Sequence, residues 1–184
     1  MRFSLVLGTI CCAVAGAVPI DPPVLVVDIA EGTAGSQVEQ TVTFGGALYF
    51  VADDGETGME LWRSDGTAAG TAVVADIVDD GASNPKDLTP SSARLFFTAD
   101  DGINGRELWA TNGTETALVK DIRIGASSSP RDLVALGTRV LFSADDGVHG
   151  RELWVSDGTE AGTTLVVDLH PSSGSFPQYL TVYN

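Results

Sequence analysis

Paired aspartates are the residues of this chain whose type and spacing best suit chemistry. Each pair stands directly before a glycine, and the pairs are Asp53 and Asp54, Asp100 and Asp101, and Asp145 and Asp146. A glutamate follows each pair a few residues later, at Glu60, Glu107 and Glu152. Calcium binds several oxygen ligands, and Asp-rich turns supply them. An aspartate in a turn also accepts hydrogen bonds from nearby backbone N–H groups.

The spacing of these acidic loops favours capping of the turn over a metal site. The loops match neither the EF-hand loop nor the glycine-rich nonapeptide calcium repeat. We therefore expect the six aspartates mainly to cap backbone N–H groups. Calcium bound by the same six aspartates is the alternative, and an extracellular location would supply the ion.

The other polar residues do not form a recognisable catalytic set. His149 and His170 are isolated, and the loop position of His149 holds Thr57 and Asn104 in the other copies. No Ser/His/Asp set and no zinc-ligand spacing is visible. A catalytic site needs different residues in different roles, whereas the polar residues here recur. The sequence therefore predicts a protein that is not an enzyme.

The acidic loops belong to an internal repeat. The stretch ELWVSDGTEAGT at residues 152–163 has a full copy at 60–71 and a shorter copy, ELWATNGTET, at 107–116. All three tryptophans lie in these copies, with 47 residues from Trp62 to Trp109 and 45 from Trp109 to Trp154. A motif at a nearly fixed interval indicates a repeat architecture.

Each repeat is predicted to hold four short strands. The units span about 39–77, 86–122 and 131–169. The first strand is predicted around residues 42–44, 87–89 and 132–134, and the second at 48–52, 95–99 and 140–144. The third is the Glu-Leu-Trp stretch, and the fourth ends at Asp-Ile or Asp-Leu. Tight hairpin turns are predicted after the third strand, at Asp65-Gly66, Asn112-Gly113 and Asp157-Gly158. We expect Ser64, Asp65 and Thr67 to shape the first of these turns.

The second strand indicates that both faces of each sheet are buried. Leu95, Phe96 and Phe97 are consecutive and apolar, and neighbouring residues of a strand point to opposite faces. A β-propeller stacks each blade between two others and so covers both faces. The sequence predicts an all-β, β-propeller-like array of four-stranded antiparallel blades, with the tryptophans in the blade cores. A β-solenoid is the main rival fold.

Two extra strands are predicted at the ends of the array. Residues 24–29 resemble the fourth strand of a unit, and residues 178–183 resemble the first. They could pair in an incomplete fourth blade. Because closed propellers have at least four blades, three units predict an incomplete ring, a half that assembles with a second copy, or a piece of a longer array. The end at Asn184, where a new unit begins, favours the longer array.

The first 17 residues have the pattern of a cleaved secretory signal peptide. Arg2 is the positive end, residues 5–15 are apolar, and residues 15–17 form an Ala-Gly-Ala cleavage site. A short linker is predicted at 18–23. The rival interpretation is a buried N-terminal helix or strand. Both cysteines, Cys11 and Cys12, lie in the signal segment, so the mature chain is predicted to lack disulfides and to be secreted or at the cell surface.

The net charge limits the classes of partner. The formal charge of −15 would repel a phosphate backbone or an anionic lipid surface, so nucleic acid is a poor partner. The chain has no apolar run of 18 residues, so no membrane span is predicted. A protein, a glycan or another copy of the chain remains a possible partner.

The repeated motif resembles the bacterial ELWxxDGT repeat family. Glu60-Leu61-Trp62 with Asp65-Gly66-Thr67 matches every signature position, as does the copy at 152–159. The copy at 107–114 has Asn112 for the aspartate. The resemblance covers residues 24–184. It implies secreted or surface proteins with tandem repeats, and it transfers no catalytic residue.

These observations lead to one favoured function and two alternatives. We expect a non-enzymatic secreted or cell-surface repeat module that binds a protein or glycan or assembles with itself. A calcium-stabilised structural surface protein is the alternative. A propeller-type glycan hydrolase is less favoured, because few polar residues depart from the repeat.

Overall fold

The structure is a computed structural model that describes residues 24–32, 35–79, 81–171 and 173–183. The predicted signal peptide at 1–17 and linker at 18–23 lie outside these residues. Within the described ranges the chain forms twelve strands and no helix, and hence no helix that could span a membrane.

The twelve strands form three four-stranded antiparallel sheets in chain order. The first holds β1 (Glu39–Phe44), β2 (Ala47–Asp53), β3 (Met59–Ser64) and β4 (Ala72–Ala75). The second holds β5 (Lys86–Pro90), β6 (Leu95–Asp100), β7 (Arg106–Thr111) and β8 (Thr116–Lys120). The third holds β9 (Arg131–Leu136), β10 (Arg139–Asp145), β11 (Arg151–Ser156) and β12 (Thr164–Val167). In each sheet every strand pairs with the next, so the predicted three units of four strands are confirmed.

The second sheet is buried on both faces, as its apolar second strand predicts. Leu95 and Phe97 belong to a core that also holds Tyr49 and Leu61 of the first sheet. On the opposite face, a second core takes side chains from the second and third sheets: Phe96 and Leu108 with Phe142 and Trp154. Because adjacent residues of β6 enter different cores, the sheets stack face to face. The three sheets do not close on one another in the described part of the chain.

Two of the three tryptophans, Trp109 and Trp154, occupy these sheet-to-sheet cores, as predicted. Trp109 packs against the core shared with the first sheet, and Trp154 lies in the core shared with the second. Trp62, on the outer side of the first sheet, is partly buried. The indole nitrogens of all three are buried without a hydrogen-bond partner among the described residues. The rings therefore contribute apolar packing rather than a polar contact.

The two predicted terminal strands do not form. Residues 24–29 and 178–183 are described and contain no strand. A strand needs a neighbour to satisfy its backbone N–H and C=O groups. The segment at 24–29 resembles a fourth strand but has no third strand of its own unit beside it in the described chain. The segment at 178–183 resembles a first strand and likewise has no second strand, so neither enters a sheet.

The predicted tight Asp-Gly turns are longer loops. Seven residues, 65–71 and 157–163, separate the third and fourth strands of the outer sheets, and four residues, 112–115, do so in the second. The Ser64 and Thr71 hydroxyls, 2.7 Å apart, close the base of the first loop. Asp65 accepts a hydrogen bond from the Thr67 N–H at 2.9 Å, and the Thr67 hydroxyl accepts one from the Gly70 N–H at 3.0 Å. The predicted shaping role of Ser64, Asp65 and Thr67 is thus confirmed within a longer loop.

In the first sheet a tight hairpin instead joins the first and second strands. Gly45 and Gly46 alone join β1 to β2, with φ values of 57° and 81°. A two-residue type I′ loop needs positive φ at both positions, which glycine adopts at little cost.

Truncating Leu108 tests the burial of both sheet faces. The side chain is fully buried between the second and third sheets, so Leu108→Ala should lower the free energy of unfolding by about 2–5 kcal/mol. Leu153 stands at the same position of the third sheet but is only partly buried, and Leu153→Ala should cost clearly less. Urea unfolding of both variants measures the difference, and equal costs would contradict the stacked arrangement.

Candidate functional site

The acidic loops join the second and third strands of each sheet. The first aspartate of each pair ends the second strand and accepts a hydrogen bond from the glycine N–H two residues later. The Oδ1–N distances are 2.7 Å for Asp53, 2.9 Å for Asp100 and 2.8 Å for Asp145. The three loops therefore share one turn geometry.

The second aspartate of each pair caps two backbone N–H groups. Asp54 Oδ1 accepts hydrogen bonds from the Glu56 N–H at 2.9 Å and the Thr57 N–H at 2.7 Å. Asp101 and Asp146 accept the equivalent pairs at 2.7–2.9 Å. Capping, the role favoured by the sequence, is confirmed for these aspartates.

A variable loop position supplies a side-chain partner to the second aspartate. The Thr57 hydroxyl lies 3.1 Å from Asp54, the Asn104 amide 2.7 Å from Asp101, and His149 Nδ1 2.7 Å from Asp146. The sequence predicts no role for this position because its residue type changes. The available signal is that all three residues carry a hydrogen-bonding side chain. His149 therefore belongs to the turn.

Hydrogen bonds together lower the pKa of the capping aspartates. Burial raises the pKa of Asp54, but hydrogen bonds from Thr57 and Glu56 outweigh it and hold the pKa below its ordinary value. The balance is the same for Asp101 and Asp146. The hydrogen bond to Asp146 raises the pKa of His149. The capping aspartates are thus held in the ionised form that accepts hydrogen bonds.

The described residues contain no group of three or more His, Cys, Asp or Glu side chains placed to hold a metal ion. The glutamates that follow the acidic pairs do not turn toward them. Each is instead buried and bound to another part of the chain. Calcium binding at the six aspartates stays a prediction.

Each buried glutamate binds a serine of the connector that leads out of its unit. Glu60 accepts hydrogen bonds from the Ser83 N–H and the Ser83 hydroxyl, both at 2.6 Å. Glu107 accepts the same pair from Ser128, at 2.6 and 2.5 Å, and a third bond from the Ile122 N–H at 3.3 Å. We call this two-oxygen contact the glutamate clasp.

The third clasp has the same form at the end of the array. Glu152 accepts hydrogen bonds from the Ser175 N–H at 2.7 Å and from the Ser175 hydroxyl. The serine follows its glutamate by 23, 21 and 23 residues in the three clasps. All three glutamates are fully buried. The clasp therefore fixes each sheet to the connector that follows it.

Burial raises the pKa of two of the clasped glutamates, Glu60 and Glu107. It raises the pKa of Glu107 to about 7, although the hydrogen bonds from Ser128 act in the opposite direction. Burial raises the pKa of Glu60 in the same way. A carboxyl group with a pKa near 7 suits general acid–base catalysis. Both oxygens of Glu107 are bound, however, and no part of the residue reaches solvent, so it cannot contact a substrate.

A cavity of about 370 Å³ lies between the first and second units. Its wall includes Arg63, Gly70, Val73 and Thr114. The loop between the third and fourth strands is shorter in the second unit than in the first. Arg63 Nη1 donates a hydrogen bond to the Gly113 carbonyl at 3.3 Å. The residues lining this cavity include no carboxylate, histidine or cysteine. The cavity wall thus holds no carboxyl or imidazole group to act as a general acid or base.

Replacing Glu107 with glutamine tests the buried acid. The folded pKa of Glu107 is about 7 against an ordinary 4.5, so the folded state holds the proton more tightly than the unfolded state. The stabilisation from the protonated form is full below about pH 4.5 and is lost as pH rises through about 7, a change of about 3 kcal/mol. The free energy of unfolding of Glu107→Gln should not show this decrease between about pH 4.5 and 7.

Chemical denaturation between pH 4 and 8 measures the free energy of unfolding of the wild type and of Glu107→Gln. The contribution of Glu107 is the difference between the two curves. Glu115→Gln is the matched control, because Glu115 is an exposed glutamate of the same unit. Parallel stability curves for wild type and Glu107→Gln would contradict the assignment.

Comparison with known proteins gives little beyond this geometry. No protein-family model matches the chain, and no curated protein matches it. Among the solved structures that match is an acylaminoacyl peptidase of Pyrococcus horikoshii, in an orthorhombic crystal form, with a TM-score of 0.46 and 8% sequence identity. The alignment covers 70% of this chain and 20% of the peptidase chain.

Proposed function

We propose that this chain is a non-enzymatic module of the bacterial ELWxxDGT type, secreted or held at the cell surface, which works by binding. Its partner is a protein, a glycan or another copy of itself. One observation carries the proposal. The aspartates of the acidic loops and the glutamates that follow them recur in every unit and serve the fold, as caps or as clasps. These nine acids are therefore occupied by structural hydrogen bonds.

A β-propeller-like arrangement of the units fits this function. The first strands of the three sheets, β1, β5 and β9, lie next to one another in chain order. The sheets stack through apolar faces, as blades do. Such an array presents its loops on its outer surface, where binding residues are usually found. Ile103 and Val148 of the acidic loops are about 80% exposed, at 82% and 80%.

Secretion is supported by the sequence of the first 17 residues and by the calculated net charge. The positive end, the apolar stretch and the Ala-Gly-Ala site follow the order of a signal peptide. A charge of −15 keeps a surface protein soluble and away from anionic polymers. The partner is accordingly neutral or basic rather than a nucleic acid.

Assays for turnover and binding, run on the same preparation, test the proposal. A panel of fluorogenic glycosides and peptides should show no product above the buffer rate. An array of glycans and extracellular proteins should show saturable binding that heat-unfolded chain lacks. Turnover that copurifies with the folded chain and is lost when the chain is heat-unfolded would overturn the proposal.

A thermal melt in calcium against a chelator separates the binding module from a calcium-stabilised protein. Because the Asp54, Asp101 and Asp146 carboxylates already cap backbone N–H groups, we expect no change in Tm. An ion present at 100 times its Kd would add about 2.7 kcal/mol and raise Tm by about 5–10 °C. A rise of that size, lost in Asp101→Asn, would favour the calcium alternative.

A further inference from the structure

Arg63 departs from the repeat at the interface between the first and second units. It lies on β3, directly after Trp62, and the equivalent residues of β7 and β11 are Ala110 and Val155. Ala110 is buried in the apolar core between the second and third sheets. An arginine thus stands where the next interface has a small apolar side chain. The repeated fold does not require a charged residue at this position.

The residue paired with Arg63 departs from the repeat in the same way. Tyr49 of β2 is the cross-strand partner of Arg63, and its position holds Phe96 in the second unit and Leu141 in the third. The Tyr49 hydroxyl lies beside the second unit, because a Cβ placed on Gly113 would be 3.0 Å from it. Two neighbouring positions therefore carry polar groups in the first unit and apolar side chains in the other two.

The Arg63 guanidinium has few partners in the described chain. Its Nη1 donates a hydrogen bond to the Gly113 carbonyl at 3.3 Å. Its Nε is buried without a hydrogen-bond partner, and the side chain forms no ion pair with a described carboxylate. A buried donor that is left unpaired is costly, and arginine is always charged at neutral pH. The side chain is therefore held ready for an acceptor that the described residues do not supply.

Differences between the units leave space beside this guanidinium. The loop between the third and fourth strands has seven residues in the first unit, 65–71, but four in the second, 112–115. Between the second and third units, Lys120 Nζ donates to the Thr163 carbonyl at 3.1 Å. The equivalent residue of the first unit is Ala75, which is too short to make this contact. The cavity of about 370 Å³ thus lies where the next interface is bridged by a side chain.

The cavity wall suits one carboxylate carried on a short aliphatic body. Arg63 is the charged residue of the wall, and the aliphatic side chains are those of Ala69, Ala72, Val73 and Val74. A guanidinium binds both oxygens of a carboxylate through parallel hydrogen bonds. The volume is at the small end of the range for ligand pockets, about 300–1,000 Å³. Because the net charge of −15 repels polyanions, a ligand with a single carboxylate fits better than an acidic polymer.

We propose that this cavity binds a ligand with one carboxylate on a short aliphatic body, and that Arg63 holds the carboxylate. A free carboxylic acid presents this group, and so does a glutamate side chain on the surface of a protein. The inference goes beyond the proposed function, because it assigns a ligand chemistry to a site that binding of a partner elsewhere on the chain does not require.

Titration of the isotope-labelled chain with butyrate, followed by NMR, tests the site. We expect the amide signals of Gly70, Gly113 and Thr114 to shift with a Kd of about 1–10 mM, as a ligand of this size allows. Butyramide, which has a similar shape and no charge, should not cause these shifts. Arg63→Ala should weaken butyrate binding about tenfold or more, because it removes charge-assisted hydrogen bonds. Arg63→Lys, which keeps the charge without the planar fork, should weaken it less.

A second pair of probes distinguishes the two sources of the carboxylate. Glutamate capped at both ends by neutral groups carries its charge on the side chain alone, and glutamine with the same caps is its uncharged control. Tighter binding of capped glutamate than of butyrate would identify a protein side chain as the natural ligand. Tighter binding of butyrate would identify a free carboxylic acid.

Arg139→Ala is the matched control, because Arg139 is exposed, lies outside the cavity wall and carries the same charge. This variant should bind butyrate as the wild type does. Circular dichroism checks that each variant is folded, and Ala110 shows that the repeat accepts alanine at the position of Arg63.

Three results would overturn the inference. One is the absence of shifts in the wild type at about ten times the expected Kd. Another is equal butyrate binding by the wild type and Arg63→Ala. The third is equal weakening by Arg139→Ala, because net charge alone would then explain the binding. Each of these results would leave the proposed function standing, since the assays for a protein or glycan partner do not depend on this cavity.

Discussion

The buried glutamate clasp is the contact on which the rest of the structure depends. A carboxylate removed from water is costly unless hydrogen bonds replace its lost solvation. Glu107 meets this requirement with two donors from Ser128 and one from Ile122. Because Ser128 lies in the connector to the third unit, satisfying the acid also fixes where the next unit starts. The hydrogen bonds that satisfy one buried carboxyl group thus fix the connector between neighbouring sheets.

Stacking of the sheets follows from the position of the connector that the clasp fixes. Once the connector is fixed, the second and third sheets meet through fully buried residues such as Phe96 and Val140. In the described chain each core is shared by two consecutive sheets, so stability is approximately a sum of unit and interface contributions. Leu48 and Leu153, on the faces of the first and third sheets that no other described sheet covers, are only partly buried.

Local sequence patterns predicted most of the fold. They did not predict contacts between residues that are far apart in the chain. The unbroken apolar run Leu95-Phe96-Phe97 predicted a sheet buried on both faces, and the Asp-Asp-Gly loops predicted caps, because both depend on near neighbours in the chain. The clasp was missed because its serine lies 21–23 residues from its glutamate, although the serine recurs in a Ser-x-Pro pattern at 83–85, 128–130 and 175–177. The terminal strands were predicted from residue type alone, but a strand also needs a partner, which the described chain does not give them.

A carboxyl group with a raised pKa is often taken as a sign of catalysis, and this structure shows why access must be considered with it. The same burial that brings the pKa of Glu107 to about 7 also closes the residue to solvent. Its proton therefore serves folding, and the pH dependence it creates is one of stability. The clasp thus holds the connector in place, and at Glu107 it also makes the stability of the fold depend on pH.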